Sequence, residues 1–380
     1  MACSDVVVIG GGIAGASVAY ELAADRRVAL VEGERSLATH STARSAATYV
    51  PGHGVAEVRT LIAASGPRFA ALAAELDAPP LLSPRPVFWI AADADGERRL
   101  AQALAERAGE PDAPVPLDPA EAARRCPALR ADRVRAAGVV AGAADVDAMA
   151  LHQAYVRGLR RRGGTVHAGS PVTGCTRDGG GWRVTTGDGT VLAAADVVDA
   201  AGAWADAVAA LAGVRTVGLA PLRRTIAVVR VPDPTRLRPP GRASLPMVVE
   251  AAERFYFKAE HDRLLASPGD ETPVPPGDAR PDPLDVATAL ERVEAVTALG
   301  LRSVLTSWAG LRTFAADRRP VVGAWPDHPG FHFVAGQGGS GIESAPALAA
   351  VAAAVITGRP PPADVALDPH ALAPTRFDDG

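Results

Sequence analysis

Ten residues near the start of the chain, Val6-Val-Val-Ile-Gly-Gly-Gly-Ile-Ala-Gly15, carry the first pattern with chemical content. The spacing Gly10-x-Gly12-x-x-Gly15 suits a backbone turn that cradles a pyrophosphate. Gly10 permits the tight turn, Gly12 the close approach, and Gly15 the packing of helix on strand. Free N–H groups at the helix start would then face the phosphates. Glu32, after a second apolar run, stands where a ribose hydroxyl pair needs an acceptor. A second glycine-rich turn, Gly336-Gln-Gly-Gly-Ser-Gly-Ile342, precedes another helical stretch. One pyrophosphate needs one such turn. A second helix start aimed inward suits a further electron-rich group, such as a flavin carbonyl. The first motif alone does not separate NAD from FAD.

These motifs need elements to hold them. The run Val6–Ile9 predicts a buried strand, Ala14 to about Ala24 its helix, and Val28–Val31 the next strand. Small and hydroxylated residues dominate His40–Val50, so Ser41, Thr42 and Ser45 could donate to a phosphate or a flat ring, or simply cap a helix. Helical spacing covers 57–76 and ends at Pro79-Pro80. A strand at 86–91, a helix at 96–108 and a helix opening at Asp118-Pro119 follow. A helix is expected over Asp147–Arg162, then short strands to Asp196–Asp199, a small-residue run to Gly202, and a helix over Trp204–Leu211. Leu222–Val231 reads as a strand, 232–246 and 268–283 as proline-rich loops, and Met247–Glu250 with Arg254–Ala259 as a hairpin. A helix over Leu284–Leu299 precedes strands at Val321–Gly323 and Phe331–Ala335, and a last helix over Glu343–Thr357.

The composition excludes several classes. With 48% apolar and 22% charged residues and a net charge of −4, the chain has an ordinary globular balance and nothing that calls for nucleic acid. Of 39 basic residues only Lys258 is lysine, so a single arginine carries little information. The three cysteines, Cys3, Cys126 and Cys175, are far apart and odd in number. That argues for a reducing cytoplasm and against a disulfide framework or a metal site. A strand so near the start leaves no room for a leader. The longest apolar run, 345–356, is too short for a membrane span, which takes about 20 residues.

Taken together, Gly10–Gly15 with Glu32, the His40–Ala47 loop, Asp199–Trp204, Phe255-Tyr-Phe-Lys258, Trp308–Phe314 and Gln337–Ile342 resemble the D-amino acid oxidase superfamily of FAD enzymes, and within it the D-arginine dehydrogenases. The resemblance runs over nearly the whole chain. It implies an α/β plus α+β protein: a Rossmann-like FAD-binding domain (1–79, 145–220 and 305–360), an interleaved substrate domain on an antiparallel sheet (80–144 and 221–304), and a tail (361–380). It implies non-covalent FAD touched by Gly10, Gly12, Ile13, Ala14 and Gly15, by Glu32 and Gly33, and by Ser41, Thr42, Arg44, Ser45, Ala46 and Ala47. Further contacts fall to Val172 (backbone to adenine), Gly202, Trp204, Gly338, Ser340, Gly341 and Ile342.

On the substrate side the resemblance makes Arg224 and Arg312 a carboxylate clamp, with Tyr256 sharing the load. Guanidinium offers fixed, bidentate geometry for that task. Arg223 is the competing choice for Arg224. The Gly339 carbonyl would hold the amine of an α-amino acid, whose hydride passes to flavin N5 to leave an imine. The chain also departs from the pattern. Thr48 and His53 stand where the D-arginine enzymes place a histidine and a tyrosine, and His53 is either a lid residue or a plain surface histidine. Phe88 and Trp89 fill the strand expected to supply an acidic anchor, which implies a neutral or apolar substrate side chain. Glu343 replaces a neutral amide. The stretch Arg263–Leu265 lacks the lysine that sarcosine-oxidase-like relatives hold near the flavin, which favours a dehydrogenase with an unknown electron acceptor. The principal alternative is a glycine-, sarcosine- or proline-type secondary-amine enzyme. A flavin monooxygenase and a non-catalytic flavoprotein subunit are weaker ones.

Overall fold

Four consecutive apolar, mostly β-branched residues place Val6–Ile9 in the middle of a six-stranded sheet. Its order is Thr165–His167, Val28–Val31, Val6–Ile9, Asp196–Asp199, Phe331–Ala335 and Val321–Gly323. All pairings are parallel except the last. This computed structural model describes residues 2–110, 112–237 and 245–378. Part of the proline-rich 232–246 loop and the end of the tail therefore lie outside the described residues.

Both faces of this sheet are covered. Val6, Val8, Leu30, Val198 and Val334 pack on the helices Ile13–Leu22 and Ala345–Thr357 through Val18, Leu22, Leu348 and Val351. Val7, Val31, Val197, Phe331 and Phe333 face the other way, onto Trp182 and Trp325. Each such side chain contributes about 1.5–3 kcal/mol by leaving water. Ile9 lies level with Val31 and with Asp199. The next residues, Gly10, Glu32 and Ala200, therefore emerge side by side at the carboxyl end of the sheet, the usual ligand crevice of such folds.

A nine-stranded sheet forms the second body, centred on Ala220–Arg230, Arg263–Ser267, Tyr256–Glu260, Met247–Glu250 and Val87–Ala91. It is antiparallel apart from one pairing, Met247–Glu250 with Val87–Ala91, where the two excursions of the chain meet. One face packs on the helix Pro283–Val296 through Phe88, Val229, Phe257 and Val293. The other presents Val87, Ile226, Tyr256 and Leu265.

Local expectations differ from the structure in four places. Trp308–Phe314, which falls in no expected element, ends the twelve-residue strand Ser303–Phe314, which pairs along Ala220–Arg230. The boundary expected at 305 therefore falls inside a strand. Arg263–Ser267 is also a strand, unforeseen because only its pairing partners mark it. The helix from Asp118-Pro119 stops at Arg125, and the last helix starts at Ala345. Glu343 thus lies in the turn before that helix. No helix among the described residues is long and apolar enough to cross a membrane.

Candidate active site

The first glycine turn is sterically fixed. A Cβ on Gly15 would stand 1.8 Å from the Gly10 carbonyl oxygen, so helix and turn meet only through glycine. Gly10 itself has φ +107°, a left-handed value that favours glycine. The turn is held from three sides. Gly11 N–H donates to Glu32 Oε2 at 2.7 Å, and Ile13 N–H donates to Thr42 Oγ1 at 3.0 Å. His152, on the helix Ala148–Arg161, places Nε2 2.9 Å from the Gly11 carbonyl. Burial lowers the His152 pKa, so the imidazole is neutral and Nε2–H is the donor. No local pattern singles out His152; it sits on the buried face of its helix.

The turn opens into a cleft of about 460 Å³. Its walls include Gly10, Gly12, Ile13, Ala14, Glu32 and Gly33 at one end. Ser41, Thr42, Arg44, Ser45 and Ala46 form one side, and Val172, Gly202 and Trp204 another. Gly338, Gly339, Gly341 and Ile342 close the far end with Arg224, Tyr256 and Arg312. Gly15 lies behind the wall, as its packing role requires. Gln337 and Pro171 line the cleft unforeseen, as does His40, which stacks at 4.7 Å on Trp204.

Several side chains are committed elsewhere. Ser41 Oγ donates to the Leu311 carbonyl at 2.7 Å, which uses its only proton. Arg44 donates to Asp278 at 2.6 Å and to the Ala309 carbonyl at 3.1 Å, so it ties the loop to the second body and only its flank meets the cleft. Ser45 Oγ accepts from Ala47 N–H at 2.9 Å and keeps its proton to donate. The Ser340 hydroxyl turns away from the cleft and meets His53 Nδ1 at 3.2 Å.

Asp199 is fully buried beside the cleft. One oxygen accepts from Ala201 N–H at 3.1 Å, and the other has no partner among the described residues. Burial holds its pKa well above the usual carboxylate range, so the neutral acid is favoured.

Beyond Ser45, Ala46, Tyr256, Arg312 and Ile342 lies a smaller chamber, reached by Ala47, Trp89, Met247, Val249, His53, Glu253 and Glu343. Strand alternation sends Trp89 to this chamber and Phe88 to the core. It also sends Arg224 to the cleft and turns Arg223 away, onto Asp285 at 2.7 Å. Arg224 is not idle: Nε donates to the Asp270 carbonyl at 2.7 Å and Nη2 to Glu271 at 3.3 Å. Burial, followed by the neighbouring Arg312, lowers its pKa to about 10. Arg312 has no hydrogen-bond or ion-pair partner among the described residues, and a methyl on Gly339 would stand 3.0 Å from its Nη1. The Tyr256 hydroxyl is buried and also unpartnered. A free guanidinium and a free phenol at the junction of the two cavities call for an anion with two oxygens.

No carboxylate comes from the Val87–Ala91 strand, but three reach the chamber from elsewhere. Glu250 is consumed by Arg254, at 2.8 Å. Glu343 accepts from Val50 N–H at 2.8 Å and faces His53 Nδ1 at 3.1 Å. Glu253, 56% exposed, stands at the mouth. Burial works to lower the His53 pKa, but its bond to Glu343 and the charges of Glu343 and Glu253 outweigh that and raise it.

A strand–glycine turn–helix at the carboxyl end of a parallel sheet, joined to a smaller chamber, defines a dinucleotide-binding protein with room for a small molecule beside the dinucleotide. The family model for FAD dependent oxidoreductases of the DAO type matches residues 5–355, and the chain belongs to that family. Its cofactor is FAD. Among solved structures, glycine oxidase from Geobacillus kaustophilus superposes with TM-score 0.86 at 23% identity, covering 99% of each chain. L-proline dehydrogenase from P. horikoshii gives 0.84 at 22%, covering 99% of this chain and 98% of that one. An FAD-bound L-α-glycerophosphate oxidase from Mycoplasma pneumoniae gives 0.81 at 18%, covering 94% and 95%.

Proposed function

We propose that the protein oxidises the amine of a D-amino acid with a neutral or apolar side chain. The observation that carries this reading is the Arg312 guanidinium and the Tyr256 hydroxyl, neither with a partner among the described residues, lining the same cleft. Together they receive the substrate carboxylate, with Arg224 adding charge while it stays anchored to Asp270 and Glu271. The Gly339 carbonyl then orients the amine. Trp89, Met247 and Val249 wall the chamber with apolar surface, and of its carboxylates Glu250 is engaged by Arg254 and Glu343 by Val50 N–H and His53, which supports an uncharged side chain.

Gly10, Gly12, Ile13, Ala14 and Glu32 are the residues for the adenosine and pyrophosphate half of FAD. Ser45, Ala46, Gly338, Gly341 and Ile342 are those for the ring half. The fit rests on the left-handed Gly10, the Gly15 contact and the Glu32 carboxylate held toward the cleft. When bound, FAD supplies a two-electron acceptor for the hydride at the substrate Cα. The chain's own contribution is alignment of Cα and exclusion of water.

Dehydrogenase rather than oxidase chemistry is supported by Lys258. Its ammonium is bound to the Ala46 carbonyl at 2.7 Å, to Glu260 at 3.0 Å and to Asp145 at 3.1 Å. Three donors meet three acceptors, which leaves none for oxygen. The free, buried Cys126 and Cys175 suit a cytoplasmic setting. A secondary-amine substrate is the second reading, favoured by the likeness to glycine oxidase and L-proline dehydrogenase. Anaerobic mixing with D- and L-amino acids, sarcosine and proline tests both. Bleaching of the flavin by D-amino acids, with ketoacid and ammonia as products, supports the first; bleaching only by secondary amines supports the second. Rapid peroxide formation on admitting air would reverse the dehydrogenase assignment.

A further inference from the structure

Carboxylate binding and hydride transfer leave one buried charge without a task. Glu343 is 3% exposed, and its two oxygens are fixed on Val50 N–H and His53 Nδ1. Ser340 Oγ also lies against Nδ1, at 3.2 Å. The other ring nitrogen, Nε2, is left for the chamber, with Glu253 Oε1 as the charged neighbour at 3.9 Å. The backbone around His53 is held as well. His53 N–H donates to the Val50 carbonyl at 3.1 Å, and Arg107 donates to the Pro51 carbonyl from the opposite side.

An α-amino acid arrives at neutral pH with a protonated amine, which has no lone pair to expel a hydride. One proton must leave first. With the carboxylate on Arg312, that ammonium enters a chamber with two guanidiniums, which disfavour its charge. An acceptor inside the chamber is needed, and imidazole is the side chain whose proton affinity lies nearest neutrality.

We propose that His53 and Glu343 form a proton-accepting pair for the substrate amine. One ammonium N–H proton passes to His53 Nε2. The electron pair of that bond stays on the substrate nitrogen as its lone pair. The resulting imidazolium is stabilised by Glu343 through Nδ1–H and at longer range by Glu253. His53 is the catalytic residue and Glu343 the positioning residue. The proposal rests on the amino-acid reading of the site. The groups facing the imidazole agree with it: Glu343 from the turn before the last helix and Glu253 from the Met247–Glu260 hairpin raise its basicity, while Arg312 from the long strand opposes them. Glu250 is neutralised by Arg254.

The test is the pH profile of kcat/KM for the holoenzyme and two variants, with flavin content checked in each. In the wild type the rate rises along a limb above the ordinary imidazole value of about 6.5. In His53→Gln the limb moves up to the ionisation of the free substrate amine, and the rate at pH 7 falls at least about tenfold. In Glu343→Gln the limb moves down, because burial and Arg312 act on His53 with one opposing carboxylate fewer. A purely structural pair would lower rates without moving the limb, and an unmoved limb in both variants overturns the proposal. A ¹⁵N NMR titration of His53 in the wild-type holoenzyme needs no variant to fold: a midpoint above 6.5 is expected, and one below it contradicts the pairing. If no α-amino acid reduces the wild-type flavin, the amino-acid reading itself fails; if the flavin is reduced and the limb stays, only the proton acceptor does.

Discussion

The two ends of the cleft are built on opposite plans. At the first glycine turn the backbone is held by long-range pairings: Gly11 N–H with Glu32, Ile13 N–H with Thr42, the Gly11 carbonyl with His152. At the far end the Arg312 side chain and the Tyr256 hydroxyl have no partner among the described residues, and Arg224 is braced by Asp270 and Glu271. On the proposed function the first end holds the dinucleotide and the second receives the substrate. A buried polar group left unpaired costs about 1–3 kcal/mol, and the buried Tyr256 hydroxyl supports a ligand at the second end.

Substitutions at each end should separate the two functions. The largest effect is expected from Gly15→Val, whose Cβ would fall 1.8 Å from the Gly10 carbonyl oxygen. The purified variant should be colourless and refuse added FAD in a fluorescence titration; a yellow variant would mean that the first turn does not hold the dinucleotide. Arg312→Leu should keep FAD and lose about 10²- to 10³-fold in kcat/KM, equivalent to ~3–4 kcal/mol and at the lower side of the range for a deleted buried charge partner. Steady-state kinetics beside a flavin spectrum would show whether the two ends come apart in this way. Tyr256→Phe should cost about ten- to a hundredfold, the range for one hydrogen bond to a charged group, again without loss of FAD.

The smallest effect concerns Asp199, buried beside the first turn, in register with Ile9. Its folded pKa is raised by burial, so the unfolded chain binds fewer protons than the native one above the ordinary carboxylate range. Stability from this group is complete below pH about 4 and is lost as pH rises through the raised value. Asp199→Asn should flatten that decline: its melting temperature should equal the wild type's in acid and exceed it in alkali. Parallel melting curves at all pH values would show that Asp199 does not carry the burial cost.

The legibility of these regions in the sequence follows the same division. The first turn is a local object. Strand, glycines and helix lie within seventeen residues of one another, and periodicity and glycine spacing are enough to place them. The far end is assembled from distant segments. His53 and Glu343 are 290 residues apart, and nothing in the neighbourhood of either announces the other. The hydroxyls of the His40–Val50 loop illustrate the limit most clearly. Their residue types suggested donors to a ligand, yet Ser41 donates to the Leu311 carbonyl and Thr42 accepts from Ile13 N–H, choices made by tertiary packing. Likewise the strand Ser303–Phe314 is hidden because Gly310 and Arg312 break its apolar pattern, and both are there for the cleft they line.

On the proposed function the Arg312 guanidinium, without a partner among the described residues, receives the carboxylate of an α-amino acid beside bound FAD. This is tested most directly by stopped-flow reduction of the flavin without air, wild type against Arg312→Leu, over a panel of D- and L-amino acids. The account predicts rapid bleaching of the wild type by D-amino acids with uncharged side chains, and a variant that stays yellow until substrate is raised by orders of magnitude. A variant reduced as readily as the wild type, or a wild-type flavin indifferent to every amino acid, would contradict it.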